Sequence, residues 1–149
     1  MSKKTCCLFG QAKISIKKQD QLYKLLYNKI EKLITDNYAN FIFDCKGDFS
    51  FVVIDAITKL RKKYPHIKKI YYQVCITEDI ELLKYGYDEI IPPFKSTPED
   101  DALPYRDFSM VENSDYCIFY VNTKLSDANK AIRFAKNLSK HYINLYTLI

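Results

Sequence analysis

Short runs of β-branched and aromatic residues alternate along this chain with longer stretches whose apolar residues recur every three or four positions. Few architectures accept that alternation. A first strand is expected from Thr5 to Phe9, then a helix from Lys18 to Asn37, in which Leu22, Leu25, Leu26, Ile30, Leu33 and Ile34 share one face. Asn40 to Phe43 reads as a second strand. Phe49, Val52, Val53, Ala56, Ile57, Leu60 and Tyr64 then line a second helix that stops before Pro65. "KKIYYQVCI" (68–76) is expected as a strand, "EDIELLKYG" (78–86) as a short helix and "YDEIIPP" (87–93) as a strand closed by two prolines. "FKSTPEDDALP" (94–104) reads as a polar loop, Tyr105 to Asn113 as a short helix and "DYCIFYV" (115–121) as a strong strand. Ala128, Ala131, Ile132, Ala135 and Leu138 mark a last helix, and "HYINLYTLI" (141–149) a closing strand. Strand after helix after strand implies βαβ crossovers. The expected fold is therefore α/β, a Rossmann-like three-layer sandwich with a mainly parallel sheet, in one domain over residues 1–149.

The remaining composition narrows the function classes. With 48% hydrophobic and 28% charged residues the chain is of ordinary globular kind, and no apolar run approaches the roughly 18 residues of a spanning helix. No membrane association and a cytoplasmic location are expected. Cys6, Cys7, Cys45, Cys75 and Cys117 form an odd set without a CxxC pair or a histidine at ligand spacing. They read as reduced, mostly buried thiols, with no metal site and no cofactor. The net charge is +5, yet only Arg61, Arg106 and Arg133 of the 23 basic residues are arginine, and the lysines fall on helix faces. Nucleic acid is accordingly not the expected partner.

In a parallel sheet, ligands bind outside the carboxyl ends of the strands. "FGQAK", "DCKGDFS", "YRDFSM" and "NTKLSD" are the segments expected there. Arg106 is a candidate anion contact, the competing reading being an ion pair with Asp107, Glu112 or the "PEDD" loop. Asp44, Asp48 and Ser50 are candidates for a ribose hydroxyl, or Asp48 and Ser50 cap the second helix. Glu78, Asp79 and Glu81 can be read as acid/base carboxylates or as the acidic first turn of a helix. Glu112 and Asp115 flank the fifth strand, Asp115 in the turn into it. His66 and His141 fall at the opposite end of the sheet, away from chemistry, and most of the 13 tyrosines are expected to pack.

"TCCLFG", "NFIFDCKGDF", "KLRKKYPHIK", "DEIIPP", "YRDFSMVENSDYCIFYV" and "YINLY", in that order, resemble small bacterial or phage proteins of the SLOG superfamily, Rossmann-like relatives of the Smf/DprA and lonely-guy proteins. The resemblance covers nearly the whole chain. It implies a nucleotide or nucleotide-derived ligand at the strand ends, and a homodimer; some branches of the family cleave bonds to ribose or ribose phosphate. Together with the polar residues after the second strand, the candidate ligand-binding positions are Gly10, Gln11, Asp44, Gly47, Asp48, Ser50, Arg106, Ser126 and Asp127. Several depart from the family pattern. Gly10-Gln11-Ala12 stands for Gly-His-Arg, Ser50 for an aspartate, and Ser126-Asp127 for the Gly-Gly pair that lets backbone N–H groups approach a phosphate, whereas Arg106, Met110, Ser114 and Asp115 keep it. The expectation is ligand binding with no catalytic residue assigned. The alternatives are a hydrolase or transferase acting on a nucleotide N-glycosidic bond, with Asp44, Asp48 or Glu78 as the carboxylate, and a non-catalytic scaffold acting through protein interaction.

Overall fold

In the computed structural model, which describes residues 2–75, 78–93, 101–124 and 129–149, strands and helices alternate throughout. They are β1 (Lys4–Gly10), α1 (Ile16–Thr35), β2 (Tyr38–Phe43), α2 (Asp48–Lys63), β3 (Lys68–Tyr72), α3 (Ile80–Gly86), β4 (Glu89–Ile91), α4 (Ala102–Glu112), β5 (Tyr116–Tyr120), α5 (Lys130–Asn137) and β6 (His141–Asn144). The six strands form one sheet in the order β4-β3-β2-β1-β5-β6. Every pairing is parallel. The α/β three-layer sandwich expected from the alternation is the fold observed.

Two apolar layers hold it together. On one face Leu22, Leu26 and Ile30 of α1 and Val53, Ala56, Ile57 and Leu60 of α2 close over Leu8, Phe41, Phe43 and Tyr71, with Leu83 of α3 at the margin. On the other, Met110 and Val111 of α4 and Ala131, Ile132 and Ala135 of α5 cover Cys7, Ile42, Ile70, Cys117 and Phe119. Alternate residues of each central strand thus serve opposite layers, as the pleat requires.

Most boundaries shift by a residue or two, β4 shortens to Glu89–Ile91, and three further differences have a specific physical reason. β3 ends at Tyr72 rather than running to residue 76, because the Glu78 carboxylate takes the Val74 and Cys75 N–H groups (2.6 and 3.2 Å) out of the ladder. α4 begins at Ala102, so Pro104 lies in its first turn, where a missing N–H costs nothing. The terminal segment is a strand only to Asn144 and continues as a 3₁₀ turn, Leu145–Leu148. There the Asn144 side chain accepts from Val121 N (3.1 Å) and donates to Val121 O (2.9 Å), replacing the next rung of β-pairing. Among the described residues no helix is long and apolar enough to cross a membrane.

Candidate functional site

From β1 the chain steps outward through β2, β3 and β4, then returns through α4 to place β5 against the free side of β1. The direction of strand succession therefore reverses between β1 and β5. Such a reversal opens a crevice at the carboxyl ends, where the connecting segments diverge. Gln11 spans this point: its N–H donates to Tyr120 O (3.1 Å), its Oε1 accepts from Asn122 N (3.2 Å) and its Nε2 donates to Lys13 O (3.4 Å). The side chain standing where the resemblance has histidine is thus used to tie the β1 and β5 exits together.

Gly10 ends β1, and its missing side chain has a specific use. A Cβ there would lie 2.0 Å from Phe49 Cγ, so the Phe49 ring of α2 fills the space. That ring is buried and stacks on Tyr120 (centroids 6.5 Å apart, 13° between planes). Gly47 is the N-cap of α2 with φ 89° and ψ 169°, a conformation essentially reserved for glycine, and its Cα faces Ala12 so closely that a Cβ would come within 2.9 Å of Ala12 Cα. Asp48 then clasps the same loop twice, its N–H to Ala12 O (2.8 Å) and its Oδ2 from Ile14 N (2.8 Å). Ser50 Oγ donates to Lys46 O. Neither Asp48 nor Ser50 caps α2 through its side chain, which corrects the capping expectation: the clamp between the two loops uses these groups instead.

Beside this clamp, at the ends of β2 and β3, stands a buried polar cluster. Arg106 reaches over from α4 and is only 7% exposed. Its guanidinium donates through Nη2 to Asp44 Oδ2 (3.1 Å) and through Nη2 and Nε to Asp107 Oδ1 (3.1 and 3.2 Å). Burial works against the Arg106 charge, yet Asp107 and Asp44 outweigh it and hold the guanidinium above its ordinary value. For Asp107, burial is the larger effect and pushes the carboxyl up, with Arg106 recovering only part. Asp44 also turns its own loop, Oδ1 accepting from Lys46 N (2.8 Å).

Glu78 adds a third carboxylate, receiving the Tyr71 hydroxyl on Oε2 while Oε1 takes the two β3 exit amides. Burial, then Glu78, drives the Tyr71 phenol well above its usual range. Cys45 and Tyr87 complete the cluster: burial and then Asp44 raise the thiol, while burial, Cys45 and Asp44 raise the phenol. One guanidinium thus faces the carboxylates of Asp44 and Asp107, with Glu78 joined to the same cluster through Tyr71.

The structure brings Gly10, Gln11, Asp44, Gly47, Asp48, Ser50 and Arg106 to one edge of the sheet. Ser126 and Asp127 lie outside the described residues. Asp79 caps α3, accepting from Leu82 N, and Glu81 pairs with Lys84 on the same helix, so both are structural. Asp115 binds Thr5 N at the amino ends of β1 and β5, and Glu112 offers its backbone carbonyl to Lys140. His66 and His141 also sit at the amino ends, before β3 and at the start of β6. Asp107, Tyr71, Cys45 and Tyr87 were not site candidates in the sequence. Asp107 had a signal as the neighbour of the rare Arg106; the two tyrosines had none, being members of a set of 13. Among the described residues no group of His, Cys, Asp and Glu could hold a metal ion.

Compared with known proteins, the chain matches no family model, and no curated protein matches it significantly.

Proposed function

We propose that the chain binds a nucleotide-derived ligand at the carboxyl ends of its strands, beside the β1/β5 reversal. The observation that carries this reading is the Asp44–Arg106–Asp107 group. A guanidinium and two carboxylates are kept at the carboxyl edge of a parallel sheet, where ligands of such sheets bind. Ion pairs of this kind are seldom retained for stability, since apolar residues of similar volume serve as well or better. Binding is favoured over N-glycosidic cleavage because two of the three carboxylates that cleavage would recruit are committed, Glu78 to Tyr71, Val74 and Cys75, and Asp48 to Ile14, while the third, Asp44, is paired with Arg106. The reading further takes the chain as a cytoplasmic homodimer. Exposed Leu82 and Tyr85 on α3 support a self-association surface, to be checked by light scattering of the wild type and of Leu82→Lys.

The test is a thermal-shift series with mononucleotides, dinucleotides, cyclic nucleotides and ADP-ribose derivatives. A compound at roughly 100 times its Kd adds about 2.7 kcal/mol to stability. At least one class is expected to raise Tm, and Arg106→Lys, which keeps the charge but loses the fork of donors, is expected to reduce the increment. No shift with any compound refutes ligand binding and favours a scaffold acting through protein contacts.

A further inference from the structure

α1 and α2 lie side by side over one layer of the core, and on their outer surface a groove of about 520 Å³ runs between them. Asp20 and Tyr23 line it from α1, and Asp55, Lys59 and Lys62 from α2. Ile16 stands one turn before Asp20, and Phe51 one turn before Asp55, so both belong to the same two helix faces. They are 79% and 57% exposed. The groove is therefore apolar at the end where the helices begin.

Charges along it are sorted. Asp20 and Asp55 come first, and Lys62 lies two turns beyond Asp55, about 10 Å along the helix axis. Asp55 and Lys59 have the spacing of a helix ion pair, yet Lys59 turns instead onto the Tyr23 ring of α1, 5.1 Å from its centroid. Among the described residues none of Asp20, Asp55 and Lys62 takes part in a salt bridge. The groove thus offers unanswered carboxylates toward one end and an unanswered ammonium toward the other.

That order fits a helix running the opposite way, because helices carry acids near their starts and bases near their ends. A second copy of this chain meets the requirement at the right spacing. Turned by a two-fold axis perpendicular to α2, its Asp55 faces Lys62 and its Lys62 faces Asp55. The separation of the two charges is the same in both copies, so both contacts form at one register. Phe51 then comes against the end of the other copy's α2, where the aliphatic stem of a lysine can cover it.

We propose that the α1/α2 groove is the contact face of a two-fold dimer in which Asp55 of each copy pairs with Lys62 of the other. This rests on the homodimer reading above but not on the α3 surface, which becomes the competing contact.

The experiment is sedimentation equilibrium of the full chain: wild type, Asp55→Lys, Lys62→Glu, and an equimolar mixture of the two variants. Wild type is expected to dimerise. Each variant alone sets like charges against each other twice across the axis, and its dimer is expected to weaken about tenfold or more. In the mixture the new lysine of one variant meets the new glutamate of the other, while the untouched Lys62 and Asp55 meet as in wild type. A one-to-one heterodimer about as tight as the wild-type dimer is therefore expected. Both side chains are exposed, so melting curves should match wild type, and a lost fold could not be repaired by mixing. Variants that dimerise as well as wild type overturn the proposal, and so does a mixture no tighter than its components. In either case the homodimer reading stands and its contact passes to α3, where Leu82→Lys tests it. If wild type is monomeric, the homodimer reading itself fails and this face with it.

Discussion

Replacing Gly10 with alanine separates two uses of that glycine. If it were there to let a ligand approach the backbone, Gly10→Ala in the free protein would be neutral or stabilising by about 0.4–1 kcal/mol, because alanine restricts the unfolded chain. The structure gives the opposite sign. The new Cβ would stand 2.0, 2.3 and 2.5 Å from Phe49 Cγ, Cδ1 and Cδ2, where carbon atoms settle at about 3.5–4.0 Å. The ring has little room to retreat: it is 2% exposed and lies on Tyr120, which is itself edge-on to Tyr146 at 5.3 Å. Overpacking of this kind costs about 1–3 kcal/mol, and the depth of the overlap places the cost near the upper end, about 3 kcal/mol. For a chain of this size that is a fall in Tm of roughly 6–12 °C. Phe49→Ala alone should cost about 3–5 kcal/mol through the cavity it leaves. In that background the collision is gone, so Gly10→Ala should cost nothing further, giving a coupling energy of about 3 kcal/mol. The chain has no tryptophan, so urea unfolding is followed by far-ultraviolet circular dichroism. An equal cost of Gly10→Ala with and without the Phe49 ring would refute the collision as its cause.

Gly47→Ala should destabilise by about 1–3 kcal/mol from its backbone angles alone, with a further loss from contact with Ala12; a cost below about 0.5 kcal/mol in urea unfolding would show that the loop relaxes freely. Arg106→Met strands Asp44 and Asp107 and should cost about 3–5 kcal/mol at neutral pH, with much of it returned when both carboxylates are made amides; no recovery in the triple variant counts against the ion-pair account. Asn144→Ala removes both bonds to the Val121 backbone and should cost about 1–3 kcal/mol, visible as faster amide exchange at Val121, and unchanged exchange would reject the side-chain rung. Tyr38 has its phenol pushed up to about 12, first by burial and then by Asp115, so folding favours the neutral form. Its contribution is complete below the unfolded value of about 10 and is lost as pH rises from there to about 12. Tyr38→Phe should flatten the decline of stability across that window, and an unaltered slope would contradict the assignment.

The strands and helices were legible because each is specified by residues close in sequence. Leu22, Leu26 and Ile30 repeat at helical spacing and are all fully buried, and "CIFY" is β-forming whatever surrounds it. The errors fall where a side chain takes over a job of the backbone, three or four residues away for Glu78 and 23 away for Asn144. Nothing in "YYQVCI" announces that Glu78 will capture the Val74 and Cys75 amides, and nothing in "HYINLY" that Asn144 will imitate a strand toward Val121. The site follows the same rule more strongly. Asp44 and Arg106 are 62 positions apart, so their pairing is a property of the topology and not of either segment. Gly10 is conspicuous in a chain with three glycines, but only the fold reveals that Phe49 needs its space.

That difference bears directly on what the site can hold. From the sequence, Arg106 is a rare guanidinium that either meets an anionic ligand or pairs with Asp107, Glu112 or the "PEDD" loop; in the fold Nε and Nη2 serve Asp107 and, a partner the sequence did not offer, Asp44. An anionic ligand that took the donors on Nε or Nη2 would break a buried pair, and a broken pair leaves an uncompensated carboxylate behind. A hydroxyl-bearing ligand escapes that penalty, since it can donate to the free lone pairs of Asp44 while the guanidinium stays where it is. The same charge count that weakens the case for a phosphate at this end of the cleft strengthens the case for a sugar, and it makes salt a discriminating variable. Binding of a neutral hydroxyl to Asp44 should be nearly insensitive to ionic strength, whereas displacement of Asp44 from Arg106 by an anion should weaken markedly as salt rises. A steep salt dependence of nucleoside affinity would show that the cluster opens to receive charge, and the assignment of the sugar to it would have to be withdrawn.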